Sequence, residues 1–234
     1  MTSSSKTQGI SLDHALSIAS SRSGRFVRRI VWRICSLFGR HYCKINGSGW
    51  ENLNIPGPLI VAPVHRSILD APLLVTLLTS KMLYYLAKES LFSPRPLGWF
   101  LASLGAIPIS RGAGDREALK AAQTLLEKGE SIVVFPEGTR QSGTRVGQVF
   151  DGAAFLAART GAKIVPVGIA GTEQALPSGT KFPKRTNVCF VAGEPMELSN
   201  PNGGRVSAPQ RKVFMETLAS RLQNVFDQAQ ADLR

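Results

Sequence analysis

Apolar residues recur along this chain in two rhythms. Near the N-terminus, Phe26, Val27, Ile30, Val31, Ile34, Leu37 and Phe38 return at helical spacing, so residues 10–40 are predicted to be helical. Arg25, Arg28, Arg29, Ser36 and Arg40 gather on the other side, Arg33 sits nearer the edge, and Trp32 lies close by. From Pro58 onward the rhythm changes. Residues 59–64 form an apolar run with the length and composition of a buried strand, and 82–87, 106–109, 132–135, 164–169 and 188–191 read as further strands. Between them, helices are predicted over 68–79, 115–128 and 152–160, the last two stopped by Gly129 and Gly161. Phe214, Leu218, Leu222 and Val225 mark a closing helix.

Strands alternating with helices predict an α/β fold: a single domain whose mixed, mostly parallel central sheet is flanked by helices, preceded by an amphipathic helical segment. The expected organisation is a disordered tail over 1–9, a membrane-association segment over 10–44, a core over 45–200, and a linker and helix over 201–234. Pro166 inside the run 164–169 points to an edge strand or a bulge.

Composition narrows the function classes. A chain of 234 residues with 43% hydrophobic content suits one packed domain and argues against disorder. A net charge of +12 attracts polyanions: nucleic acid, anionic headgroups or a phosphorylated substrate. Three cysteines at irregular spacing, Cys35, Cys43 and Cys189, indicate neither a disulfide framework nor a zinc site and suit a reducing compartment. The Ser/Thr-rich start has no apolar core, so no secretory signal is expected. The longest nearly apolar stretch, 97–109 between Arg95 and Arg111, is shorter than the ~20 residues a bilayer crossing needs. The 26–38 face, Arg-rich on its polar side, fits a helix lying in a membrane interface. It fits equally a helix packed on its own domain, and both readings stay open.

Three strand ends carry candidate chemistry. His65-Arg66-Ser67-Ile68-Leu69-Asp70 follows the first buried strand, where open α/β sheets place ligands. A histidine beside a carboxylate can take a proton near neutral pH. Ser67 and Asp70 also fit a capping box without any chemistry. Phe135-Pro136-Glu137-Gly138-Thr139-Arg140 follows another strand; Gly138 lets backbone approach a ligand, and Arg140 can grip a phosphate, although a surface turn with an internal ion pair would look the same. Arg111 follows a third strand end, and two such arginines on one sheet suggest a phosphate site. No Gly-x-Ser-x-Gly, P-loop, dinucleotide fingerprint or metal-ligand spacing occurs. His14 and His41 lie in the N-terminal segment, which leaves His65 as the core's candidate base.

The order of these blocks resembles the glycerolipid acyltransferase superfamily typified by 1-acylglycerol-3-phosphate acyltransferases. His-x-x-x-x-Asp at 65–70, a block ending in Arg at 105–111, Phe-Pro-Glu-Gly-Thr-Arg at 135–140 and a proline-containing apolar block at 164–169 match in order and spacing over roughly residues 45–195. Val64 stands where many members have Asn. The resemblance implies that His65 is a general base oriented by Asp70. It places Arg111, Glu137, Gly138, Thr139 and Arg140 on the acceptor, with the arginines on its phosphate. The hydroxyl would attack an acyl thioester directly, with acyl-CoA or acyl carrier protein as co-substrate and no cofactor or metal. The implied product is phosphatidate, in phospholipid biosynthesis; glycerol-3-phosphate or another lysophospholipid is an alternative acceptor. The reading of another class is a non-catalytic basic protein binding lipid or nucleic acid, although no nucleic-acid motif is present. Arg25, Phe26, Arg28, Arg29, Trp32 and Phe38 are the expected contacts with an anionic membrane surface, peripheral on its cytoplasmic face. The pattern sets no oligomeric state.

Overall fold

The computed structural model describes residues 10–77, 82–109, 115–177, 179–198 and 206–233. Seven strands form one sheet: β1 (Asn46–Ser48), β2 (Leu59–Pro63), β3 (Leu83–Lys88), β4 (Ala106–Ile109), β5 (Ser131–Val133), β6 (Lys163–Ala170) and β7 (Cys189–Ala192), in the order β1-β7-β6-β2-β5-β3-β4. Every pairing is parallel except β6 with β7. The helices are α1 (Leu12–Ser20), α2 (Arg22–His41), α3 (Asp70–Leu74), α4 (Arg95–Ser103), α5 (Asp115–Glu127), α6 (Gly152–Thr160), α7 (Thr172–Ala175) and α8 (Ala208–Ala231).

The apolar runs are unbroken because helices cover both faces of the sheet. Successive side chains point to opposite faces. Ile60 and Ala62 join Ile132, Ile164 and residues of α1, α4, α5 and α6 in one core layer, while Leu59 and Val61 join Val133, Val165 and residues of α3 and α8 in the other. β2 is wholly buried at the centre, in register with β5 (Ile60 opposite Ile132) and β6 (Ile60 opposite Ile164). α8 crosses β6 so closely that a Cβ on Gly168 would lie 2.1 Å from the Val225 carbonyl oxygen.

Several expectations are corrected. The helix expected over 68–79 starts later, as α3 followed by a 3₁₀ turn, Val75–Leu77; Ile68 and Leu69 form a turn, and 78–79 lie outside the described residues. β-branched Val75 and Thr76 weaken the α-helix there, and Thr76 Oγ1 donates to Leu73 O at 2.6 Å. The apolar stretch 97–109 divides at Gly105, whose φ of 91° ends α4 and lets the chain turn into β4. β6 is an interior strand, so the edge placement of Pro166 is wrong and the bulge-like reading holds. Its carbonyl accepts from Gly193 N (2.9 Å), in the break between the β7 ladder and the isolated bridge of Ile164 with Met196. A strand residue directs its N–H and C=O to the same side, so the N–H that proline lacks falls in that gap.

The N-terminal helical segment breaks at Ser21, whose Oγ accepts from Gly24 N (2.9 Å) and caps α2. The α2 apolar face is divided between packed and exposed residues. Val27, Val31 and Phe38 are half-buried, whereas Phe26 (61%), Ile34 (59%), Leu37 (59%) and Ile30 stand exposed in a stripe. Arg29, Arg33 and Arg40 are exposed beside it. Of the six expected membrane contacts, Arg25, Phe26 and Arg29 are exposed, and Arg25 also donates to Ser20 O. Arg28 turns inward, donating to Ala19 O (3.0 Å) and Ser103 O (3.4 Å), and burial pushes its guanidinium below its ordinary pKa. Trp32 and Phe38 are half-buried, Phe38 stacking on Tyr42 at 5.0 Å. Among the described residues no helix is long and apolar enough to cross a membrane.

Candidate active site

Three neighbouring parallel strands, β5, β2 and β6, send their C-terminal loops to one end of the sheet. The loop after β2 holds His65 to Asp70, the loop after β5 holds residues 135–142, and the chain after β6 forms α7. Together they line a cleft of about 570 Å³ bordered by His65, Ser67, Thr139, Arg140, Glu173 and Leu176, among others. That is the place the topology reserves for a ligand.

Within it His65 and Asp70 meet. His65 Nδ1 lies 2.8 Å from Asp70 Oδ2, and the same oxygen accepts from Arg66 N (2.6 Å) and Ser67 N (2.7 Å). Two of its three partners are backbone donors, so the carboxylate accepts and the imidazole carries its proton on Nδ1. Nε2 is then left as the ring's acceptor. Asp70 is fully buried, whereas 21% of the His65 side chain remains exposed. The ring stacks on Phe135, centroids 4.0 Å apart. The expected capping box is half made: Ser67 N reaches Asp70 Oδ2, but Ser67 Oγ accepts from Leu69 N at 3.3 Å rather than from Asp70 N. One carboxylate oxygen thus fastens the start of α3 and the histidine at once.

Glu137 is not an acceptor contact, and that expectation is corrected. It is 1% exposed, and both oxygens are taken. Oε1 accepts from Arg66 Nη1 (3.0 Å) and Gly147 N (2.8 Å), and Oε2 from His65 N (2.9 Å) and Arg66 Nη1 (3.1 Å). Buried charge needs a charged partner and full hydrogen bonding; Arg66 supplies the first, and with the amides of His65 and Gly147 the second. Arg66 also donates to His65 O (3.1 Å) and Arg145 O (3.0 Å), with its guanidinium carbon 4.5 Å above the Phe226 ring of α8. The internal ion pair is therefore real, but its cation is Arg66 rather than Arg140.

Gly138, Thr139 and Arg140 are exposed at the cleft. Gly138 has φ 67°, a conformation strained for other residues, which turns the loop so that Gln141 N can donate to His65 O (2.8 Å). Arg111 lies outside the described residues. Sequence reasoning missed Arg66, Gln141, Glu173 and Leu176. The strand-end rule that singled out the loops after β2 and β5 applies equally to the chain after β6, and would have found the last two.

A histidine at a cleft, backed by a buried carboxylate and with a guanidinium at the rim, has the chemistry to activate a hydroxyl on an anionic molecule. The chain belongs to the acyltransferase family: the family model described as Acyltransferase matches residues 44–170. It is 33% identical over 154 residues to the chloroplastic 1-acyl-sn-glycerol-3-phosphate acyltransferase of Arabidopsis thaliana, covering 64% of this chain and 42% of that protein. It is 30% identical over 169 residues to the 1-acyl-sn-glycerol-3-phosphate acyltransferase of Streptococcus pneumoniae, covering 72% and 58%. The chain thus spans less than half the length of the chloroplast relatives it matches. Its fold is that of the crystal structure of the Thermotoga maritima 1-acyl-sn-glycerophosphate acyltransferase (TM-score 0.66, 24% identity, 90% of this chain and 86% of the other).

Proposed function

We propose that this chain transfers an acyl group from a thioester to the free hydroxyl of 1-acylglycerol-3-phosphate, giving phosphatidate. The observation that carries the reading is the 2.8 Å contact of His65 Nδ1 with buried Asp70, which leaves the far side of the ring toward a cleft that Arg140 borders. In this scheme His65 Nε2 takes the acceptor hydroxyl's proton as its oxygen attacks the thioester carbonyl. The tetrahedral intermediate collapses, the C–S bond breaks, and the proton passes from the imidazolium to the departing thiolate. Asp70 stabilises the imidazolium between the two transfers. A positioned base of this kind is worth roughly 10²–10⁴ in rate. No cofactor enters the scheme. Acyl-CoA and acyl carrier protein are both adequate donors.

Arg140 and Arg111 are assigned to the acceptor phosphate, and Gly138 and Thr139 to the loop that presents Arg140. The exposed stripe of α2 with its arginines supports a peripheral position on the anionic cytoplasmic leaflet. A second reading, an acceptor lysophospholipid whose headgroup carries a cation beside its phosphate, is favoured by Glu173, a carboxylate in the same cleft as Arg140.

The test is a transfer assay with acyl-CoA and acyl carrier protein thioesters. The acceptors are 1-acylglycerol-3-phosphate, glycerol-3-phosphate, a zwitterionic lysophospholipid and a neutral monoacylglycerol, with products read by mass spectrometry. Wild type is expected to acylate the first, and His65→Ala to abolish transfer while folding normally. Turnover persisting in His65→Ala would refute the mechanism.

A further inference from the structure

The loop between α7 and β7 carries a feature used neither by the sequence blocks nor by the cleft. Phe182 is 82% exposed, the most exposed large apolar side chain among the described residues. A lone exposed apolar side chain is ordinary. Here, however, the loop is anchored immediately after that ring. Tyr42 Oη donates to Pro183 O (2.8 Å), and Lys184 N donates to Ala175 O (2.6 Å). Pro183 fixes its own φ as well. Phe182 is thus held outward by bonds within two residues of it. Lys181, Lys184 and Arg185 surround it in sequence, and residues 177–188 contain no carboxylate.

The anchors connect the loop to two other parts of the molecule. Tyr42 directly follows α2 and stacks on Phe38, so the loop abuts the end of the helix whose last turns expose Ile34 and Leu37. On the other side the loop leaves Leu176, which lines the cleft and whose carbonyl oxygen lies 3.5 Å from Ser67 Oγ. An aromatic ring among cations is the composition of an element that enters the headgroup layer of an anionic bilayer.

We propose that residues 179–185 form a second membrane-contact loop, which inserts Phe182 among anionic lipids and holds the cleft against the bilayer surface. The proposal rests on the peripheral membrane position proposed above. A lipid surface fits better than a protein partner. A specific protein interface needs a packed patch of roughly 800 Å² on each side, with apolar anchors seated in pockets. A single ring with mobile cations around it needs no shape in its counterpart.

The test is partitioning of the full chain into vesicles of phosphatidylcholine with phosphatidylglycerol, and into phosphatidylcholine alone. The variants are Phe182→Ser, the triple Lys181→Gln/Lys184→Gln/Arg185→Gln, and Ile34→Ser/Leu37→Ser in α2. Phe182→Ser is expected to weaken partitioning into anionic vesicles roughly tenfold. The triple variant is expected to lose roughly fivefold per charge there and nothing on phosphatidylcholine. Both should keep the wild-type melting temperature and turn over a short-chain, monomeric acceptor normally. If both loop variants partition like wild type while the α2 variant falls, the loop is not a contact and α2 alone faces lipid. If the loop variants fall and the α2 variant does not, the loop stands and the α2 reading goes. Unchanged partitioning in all three removes both. Loop variants that keep vesicle binding but lose kcat/KM only for an acyl carrier protein donor would assign the loop to that protein and overturn the proposal.

Discussion

Replacing Glu137 separates a brace from a binding group, because the two roles respond oppositely in stability and affinity. In the fold, Glu137→Ala leaves the Arg66 guanidinium, 2% exposed, without its counter-charge. Removing one partner of a buried ion pair costs about 3–5 kcal/mol. The amides of His65 and Gly147 lose their acceptor as well, at roughly 1 kcal/mol each if water partly fills the space. These terms overlap, and a total near 5 kcal/mol is a large part of the ~5–15 kcal/mol that typically holds a domain together. For a chain of this size it corresponds to a fall of about 10–20 °C in Tm. The double variant Arg66→Met/Glu137→Met should be less damaged than Glu137→Ala, because no charge is left buried. Thermal and denaturant unfolding give the stabilities, and transfer kinetics give KM for the acceptor. A Glu137→Ala protein that melts with wild type while its acceptor KM rises tenfold or more would return Glu137 to the acceptor site and refute the brace.

Three further outcomes are expected. Asp70→Asn should lower kcat by roughly 10²–10⁴ with little change in acceptor KM, because the amide still accepts from Arg66 N and Ser67 N but no longer stabilises an imidazolium; an undiminished kcat would remove Asp70 from the mechanism. Gly168→Ala should destabilise by about 1–3 kcal/mol or more, since the added methyl meets α8 backbone rather than a side chain that can move; denaturant titration decides, and unaltered stability would mean α8 is not seated as described. Burial pushes the Cys43 and Cys189 thiols up to about 11 from 9.0, so neither should react with a maleimide at pH 8 in the folded protein. Their folded-state values exceed the unfolded ones, so the stabilisation is complete below pH 9 and lost as pH rises toward 11, which an alkaline unfolding series would reveal.

The parts of this molecule that could be read in advance are those in which one property decides. β2, β5 and β6 declared themselves because strands buried on both faces carry unbroken apolar runs. The His65–Asp70 contact followed from a loop running into the first turn of a helix. Glu137 was misread because a motif shows a carboxylate at a strand end but not its burial, and only the fold brings Arg66 and the amides of His65 and Gly147 onto it. α4 was hidden because a short apolar run has no periodicity that separates helix from strand, and the break depends on one positive φ at Gly105. β1 is three polar or small residues held by pairing with β7, a tertiary fact without a local signal.

α8 is synthesised after everything it supports. Its Phe226 lies under Arg66, and its Gln223 bonds Val146 N and Thr144 O in the stretch that follows the Arg140 loop. Until residue 226 leaves the ribosome the Arg66 guanidinium has no floor, and Leu222, Val225 and Ala229 are missing from one core layer. A chain stalled before α8 would therefore hold its histidine and carboxylate loop on an unfinished support.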